Sequence, residues 1–330
     1  MSSTNETNHT NPYAADIPAI LLSSIAYCSS KDKITRSLKN YLPDWRLVWV
    51  PVEGKYGNYA FVAQKGNQYM ISIRGSLLEI TLAAFYNWVA VDLDVLIQRE
   101  WNYPWSDATR PMISEGSHFG LGDLNELVGD GRGHTLFQFI RQLPAAAEVT
   151  VTGHSLGGGL APVYALYLNY QLHQEGIRMQ PISVVSFAGP TTGNAAFAAL
   201  FNASFSGRAR LYVDVIDIVP FAANNFAGIS NLYSGDYPYA PKAPEELVAI
   251  FKTANDSVRA AEYLLDSYYT PLNGTIQLNT DRVEIHNDHT SPVLAWITQA
   301  GDQHAHNHYL QLMGYIAEVF SCPSNEQVYE

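Results

Sequence analysis

The chain has 330 residues, 47% of them hydrophobic, and a formal net charge of −12 at pH 7. That length and apolar content suffice for one large buried core, with no linker or repeat to divide it. The acidic balance argues against nucleic acid and against anionic membranes as partners, because both would repel the chain, and leaves neutral substrates or an uncharged lipid surface.

Residues 1–12 are polar and read as a disordered tail. They carry Glu6 but no Lys or Arg, so a basic leader ahead of an apolar run is not seen, and cytoplasmic residence is the default expectation, with export by another route left open. No apolar run is long enough to span a bilayer. The two cysteines, Cys28 and Cys322, stand near opposite ends, and their spacing leaves pairing open.

Ala14–Cys28 and Lys31–Leu42 read as helices, the second stopped by Pro43. Three strands are expected at Trp45–Val52, Tyr59–Lys65 and Gln68–Arg74, the last two joined as a hairpin through Gly66-Asn67. Leu77–Ile97 is apolar with few charges. It fits a buried helix, and it equally fits a flap whose greasy underside covers a pocket. Residues 98–117 look irregular. Helices are expected at Leu121–Val128 and His134–Gln142.

The stretch Val149–Gly159 then organises the chain. A β-branched run leads into Gly153-His154-Ser155-Leu156-Gly157, and apolar residues recur at helical spacing as far as Gln174. A strand that reverses into a helix at Ser155 needs small residues two positions away on either side, and it leaves the hydroxyl at a helix N-terminus, where negative charge is favoured. Further strands are expected at Ser183–Ala188 and Arg210–Val215, with a helix from Asn194 to Phe201 between them. Strands alternating with helices predict a mostly parallel sheet covered on both faces. With the elbow, a chain order of Ser155, Asp217 and then histidine is the one expected on an α/β-hydrolase sheet. Residues 221–300, with a helix near Ala243–Leu265 and a β-like Gly274–Ile285, read as an elaboration of the one domain. A last helix is expected over Tyr309–Phe320.

A serine hydroxyl needs a base to take its proton and a carboxylate to orient that base. Functional groups collect beyond the carboxyl ends of strands. Asp217 follows a strand directly; Asp214 sits inside it on the other face by alternation, and Asp92 and Asp94 lie in the possible flap. His304, His306 and His308 alternate and would share one side of an extended segment; His286, His289 and His154 are weaker candidates. No carboxylate or cysteine spacing completes a metal site around them, and no metal or cofactor is expected. The developing oxyanion needs two donors. The N–H of Leu156 supplies one, and the N–H of Ser76, after the permissive Gly75, the other.

These segments resemble the class 3 lipases, the fungal-type triacylglycerol lipases and their bacterial relatives. Ile73-Arg74-Gly75-Ser76 resembles the family's oxyanion segment, Asn87-Trp88 the pair just after its lid, and His118-Phe119-Gly120 the motif ahead of its long helix. Gly153-His154-Ser155-Leu156-Gly157-Gly158 resembles its elbow, Ala188-Gly189-Pro190 with Gly193-Asn194 the strand that follows, and Asp217-Ile218-Val219-Pro220 its acid motif. The resemblance implies a lid-gated carboxylic-ester hydrolase acting through an acyl-enzyme on neutral lipid esters, with Ser155, Asp217 and a C-terminal histidine. Relatives differ in how far that histidine stands from a following aromatic, which gives His304 or His306. His304 is chosen because a glutamine precedes it, as in similar bacterial forms. The alternative from another class is a catalytically silent hydrolase fold used for binding or signalling.

Overall fold

A computed structural model describes residues 11–52, 57–76, 95–103, 110–131, 133–233, 241–278, 291–315 and 319–323. Residues 77–94 of the flap candidate Leu77–Ile97, and the candidates Asp92, Asp94, His286 and His289, fall outside the described residues.

In chain order, the described strands are β1 (Arg46–Trp49), β2 (Ala60–Lys65), β3 (Gln68–Ile73), β4 (Gln98–Glu100), β5 (Met112–Ser114), β6 (Glu148–His154), β7 (Ser183–Phe187), β8 (Ala209–Asp214) and β9 (Thr275–Leu278). The α-helices are α1 (Ile17–Ile25), α2 (Lys31–Tyr41), α3 (Glu115–Glu126), α4 (Leu136–Ile140), α5 (Leu156–Gln174), α6 (Ala195–Phe205), α7 (Phe226–Ile229), α8 (Glu245–Leu265), α9 (Pro292–His304) and α10 (His306–Leu312). Seven strands form one sheet in the order β1-β2-β3-β6-β7-β8-β9. β1, β2 and β3 are antiparallel, and from β3 to β9 every neighbour is parallel. This is the mostly parallel sheet the alternation of elements predicts, in an α/β-hydrolase arrangement.

Strand alternation sorts the core onto two faces. Val62, Ile71, Val149, Val151 and Val184 pack against α3, α4, α5 and α6. Phe61, Ala63, Val185, Phe187 and Tyr212 pack against α1, α2 and α10. α1 is buried along nearly its whole length, and polar contacts seat it on the sheet: Ser23 Oγ lies 2.9 Å from Thr152 Oγ1, and Ser72 Oγ donates to the Leu22 carbonyl. Asp16, just ahead of α1, accepts from Arg210 at 2.6 and 2.7 Å and from Tyr212 at 2.7 Å, which ties the start of the chain to β8. A third cluster joins Ile216, Val219, Phe251, Val258 and Trp296, so the segment read as an elaboration carries apolar packing of its own.

Several expectations need correction. Residues 98–117 are not irregular throughout. β4 and β5 pair as an antiparallel hairpin, and α3 starts at Glu115 because Ser114 caps it, its Oγ accepting the Ser117 N–H at 3.2 Å. α9 has no counterpart in the sequence reading, although Ser291 caps it and Pro292 opens it, a legible helix start. The last helix starts three residues early, at His306, and ends at Leu312.

Cys28 and Cys322 form a disulfide across 294 residues. It joins the end of α1 to the C-terminal segment. Closing so long a loop removes much unfolded-chain entropy, so a Cys28→Ala/Cys322→Ala protein should lose about 2–4 kcal/mol in urea unfolding against the parent. Equal midpoints and slopes for the two proteins would contradict this.

Candidate active site

The elbow rests on three close approaches. A Cβ built on Gly153 would lie 2.2 Å from the Gly157 carbonyl oxygen, and one on Gly157 would lie 2.2 Å from the Ile73 carbonyl oxygen. One on Gly75 would lie 2.6 Å from the His154 carbonyl oxygen and 3.0 Å from Ser155 Cβ. Side chains at these three positions would force β6, α5 and the end of β3 apart. Ser155 sits at the reversal with φ 62° and ψ −130°, a left-handed backbone unusual for a residue with a Cβ. Leu156 follows as the first residue of α5, so its N–H lacks a partner within the helix. Ser76, partly buried, comes one residue after the Gly75 contact.

The acid and the base arrive from the other side. Asp217 lies three residues beyond β8, fully buried. His304 is the last residue of α9. Its Nδ1 is 3.0 and 2.9 Å from the two Asp217 carboxylate oxygens, and its Nε2 is 2.8 Å from Ser155 Oγ. An ionised carboxylate only accepts, so Nδ1 carries the proton and Nε2 is free to accept from the serine hydroxyl. Asp217 is held in turn: the Val219 N–H donates to Oδ1 at 2.9 Å and Tyr309 Oη donates to Oδ2 at 2.7 Å. Burial beside Asp217 and Asp214 raises the Tyr309 hydroxyl well above the usual phenol range, so it stays a donor.

The three histidines do not share a side, because the chain there is not extended. α9 ends at His304, Ala305 breaks the helical path, and α10 begins at His306. His304 turns to Asp217 and Ser155. His306 packs against Tyr27 (5.7 Å between ring centroids) and Phe320 (5.4 Å). His308 Nε2 lies 3.1 Å from Asp214 Oδ2. Asp214 therefore competes for a different histidine, and the alternation argument against it is incomplete: it ends β8, and its N–H donates to the same Tyr309 hydroxyl that supports Asp217. Among the described residues no group of three or more His, Cys, Asp or Glu is arranged to hold a metal ion.

Two further side chains were not assigned partners by the sequence reading. Tyr27, at the end of the α1 region, places its Oη 3.1 Å from His154 Nδ1. His154 Nε2 lies 2.8 Å from the His304 carbonyl oxygen. The bulky polar residue between Gly153 and Ser155 was the signal available for the second.

Ser155, His304 and the buried Asp217 thus meet at one end of the mostly parallel sheet. The family model described as Lipase (class 3) matches residues 95–226, which include the elbow and Asp217. Over those residues the chain is similar to the class 3 lipases, and this supports a serine carboxylester hydrolase of the lipase and esterase type. Its fold is similar to the crystal structure of M37 lipase, with a TM-score of 0.73, 24% identity, and coverage of 91% of this chain and 92% of that one. Weaker likenesses, with TM-scores of 0.46 and 0.47, run to a Rhizopus microsporus var. chinensis lipase and to Lip2 lipase of Yarrowia lipolytica. These are 20% and 21% identical and cover 63% of this chain in each case, and 69% and 73% of the relatives. No curated protein matches the chain significantly.

His306 gives a pH prediction. Desolvation first, and the neighbouring His304 second, push its pKa down from 6.5 to about 4. Between those values the unfolded chain takes up a proton that the folded one refuses. Stability is therefore full above pH 6.5 and declines as pH falls toward 4. The ring is partly exposed, so the loss stays short of the ~3 kcal/mol such a shift implies for a fully buried group. In urea unfolding at pH 7 and pH 4.5, His306→Phe should lose less stability than the parent. An equal loss in both would remove His306 as a contributor.

Proposed function

We propose that Ser155, His304 and Asp217 form the catalytic triad, with Leu156 and Ser76 as oxyanion donors, and that the substrates are triacylglycerols or other neutral lipid esters. The single observation that carries this reading is the unbroken path Ser155 Oγ–His304–Asp217 at hydrogen-bond distances throughout.

Ser155 Oγ attacks the ester carbonyl carbon as its proton passes to His304 Nε2. The carbonyl oxygen becomes an oxyanion, stabilised by the Leu156 and Ser76 N–H groups. Collapse expels the alcohol, which takes the proton from Nε2 and leaves an acyl-serine. Water, deprotonated by the same nitrogen, attacks that ester, and the acid leaves with Ser155 restored. Asp217 holds the imidazole in its tautomer and stabilises the imidazolium.

The net charge of −12 favours uncharged esters over anionic lipid. A silent binding module would have no need to keep all three polar side chains in register. The Cys28–Cys322 bridge supports work in an oxidising compartment over the cytoplasmic default, since cytosolic thiols are kept reduced. Thiol titration of protein alkylated at the moment of extraction tests this, and two free thiols would defeat it.

Ser155→Ala and His304→Ala should each lower kcat on a p-nitrophenyl ester by roughly 10⁴- to 10⁶-fold, and the double variant by little more, because a triad acts as a unit. A serine-directed phosphonate should label Ser155 alone. Substantial turnover by either single variant, or labelling elsewhere, would overturn the assignment. Comparison of p-nitrophenyl esters of rising chain length with emulsified triacylglycerol tests the lipid preference.

A further inference from the structure

His154 stands between Gly153 and the nucleophile, and its ring is buried directly under the proposed base. The two imidazole centroids are 4.8 Å apart with the planes tilted by 34°. A backbone carbonyl only accepts, so the 2.8 Å contact to the His304 carbonyl fixes the hydrogen on His154 Nε2. In the neutral ring Nδ1 is then an acceptor, and Tyr27 Oη, 3.1 Å away, is its donor. Tyr27 Oη also lies 3.3 Å from the His154 carbonyl oxygen and packs directly against Gly75, where an added Cβ would collide with it. Hydrogen bonds thus run beneath Ser155 from the backbone of His304 through His154 to Tyr27, which packs against the segment that carries Ser76.

We infer that His154 is a positioning residue for the reaction. It fixes the end of α9, and with it the His304 ring, against the elbow, through a bond from its Nε2–H to the His304 carbonyl. The inference rests on the triad assignment above and adds a residue to it. The need follows from the geometry. His304 is the last residue of its helix, where the carbonyl has no helical partner. Without a donor beneath it, the ring has only its bonds to Asp217 and Ser155 to keep its orientation, and displacement of about 1 Å in a reacting group costs roughly a hundredfold in rate.

The surroundings suit a neutral ring. His304, His306, Tyr27 and Tyr309 are the titratable groups whose rings face it. Burial, and then the two neighbouring histidines, hold its pKa well below the usual value. A second cation under the imidazolium formed at His304 would oppose proton transfer; His154 supplies a hydrogen bond there without a charge.

Two variants separate the bond from the bulk. His154→Asn keeps a polar group near Tyr27 but is too short to reach the His304 carbonyl. His154→Gln restores the reach. Activity is read as kcat per phosphonate-titrated site on a soluble p-nitrophenyl ester, so misfolded protein does not count. His154→Asn should lower kcat roughly 10- to 100-fold with KM within about twofold, and His154→Gln should recover most of it. In a His304→Ala background, His154→Asn should have no further effect. Wild-type kcat in His154→Asn, no recovery in His154→Gln, or an equal further loss in the His304→Ala background would each overturn the inference while leaving the triad standing. Full activity in His304→Ala alone would instead remove the assignment on which it rests.

Discussion

The approach of Gly157 and Gly153 to the Ile73 carbonyl is the constraint on which the rest of the site depends. β3 and β6 are parallel neighbours, with Ile73 opposite Gly153. For α5 to start where β6 stops, its first turn must pass within van der Waals contact of the end of β3. Only glycine permits that at both positions. The same contact forces Ser155 to φ 62°, a cost of roughly 1–3 kcal/mol that a parallel sheet buried on both faces can carry. It also brings the segment after β3 against the nucleophile, so one packing event sets both the hydroxyl and the Gly75-Ser76 backbone.

The acid side is assembled differently, from a short peptide span met by two helices. Asp214 and Asp217 are three residues apart, and His304 and His308 are four apart, so each carboxylate meets one histidine. Tyr309 lies between the pairs, accepting from the Asp214 N–H and donating to Asp217. The two Asp–His pairs are chemically alike. What separates them is Ser155, which only His304 reaches. Which histidine reaches Ser155 is therefore a matter of where α9 ends, not of the carboxylate it touches.

The elbow, the β2–β3 hairpin and the mostly parallel character of the sheet were legible because they rest on local pattern: alternation at 60–65 and 149–151, helical spacing after 156, and glycines at fixed offsets. Ser155 and Asp217 were legible because both follow strand ends; among the C-terminal histidines, only the family resemblance singled out His304. The path of the three histidines was not. The alternation of His304, His306 and His308 looks extended in sequence, and only the break at Ala305 between two helices sends them to three places. Likewise, nothing local to Cys28 or Cys322 indicates that 294 residues of chain bring them together. Tyr27 was hidden for the same reason: its partner is 127 residues away, across the sheet.

Burial explains how so many imidazoles coexist at one point in an acidic protein. His154 has no carboxylate at either ring nitrogen, and its contacts are a carbonyl and a phenol. His306 sits between aromatic rings. Taking a proton would leave either of them a desolvated cation with no counter-ion among the described residues, which the low-dielectric surroundings penalise. His304 differs in having a buried carboxylate on the nitrogen opposite Ser155. In the proposed mechanism, a proton leaving the serine therefore finds one adjacent ring where the resulting charge is already matched. The surrounding histidines contribute shape and hydrogen bonds without competing for the proton, and the cluster can be dense without blurring which nitrogen acts.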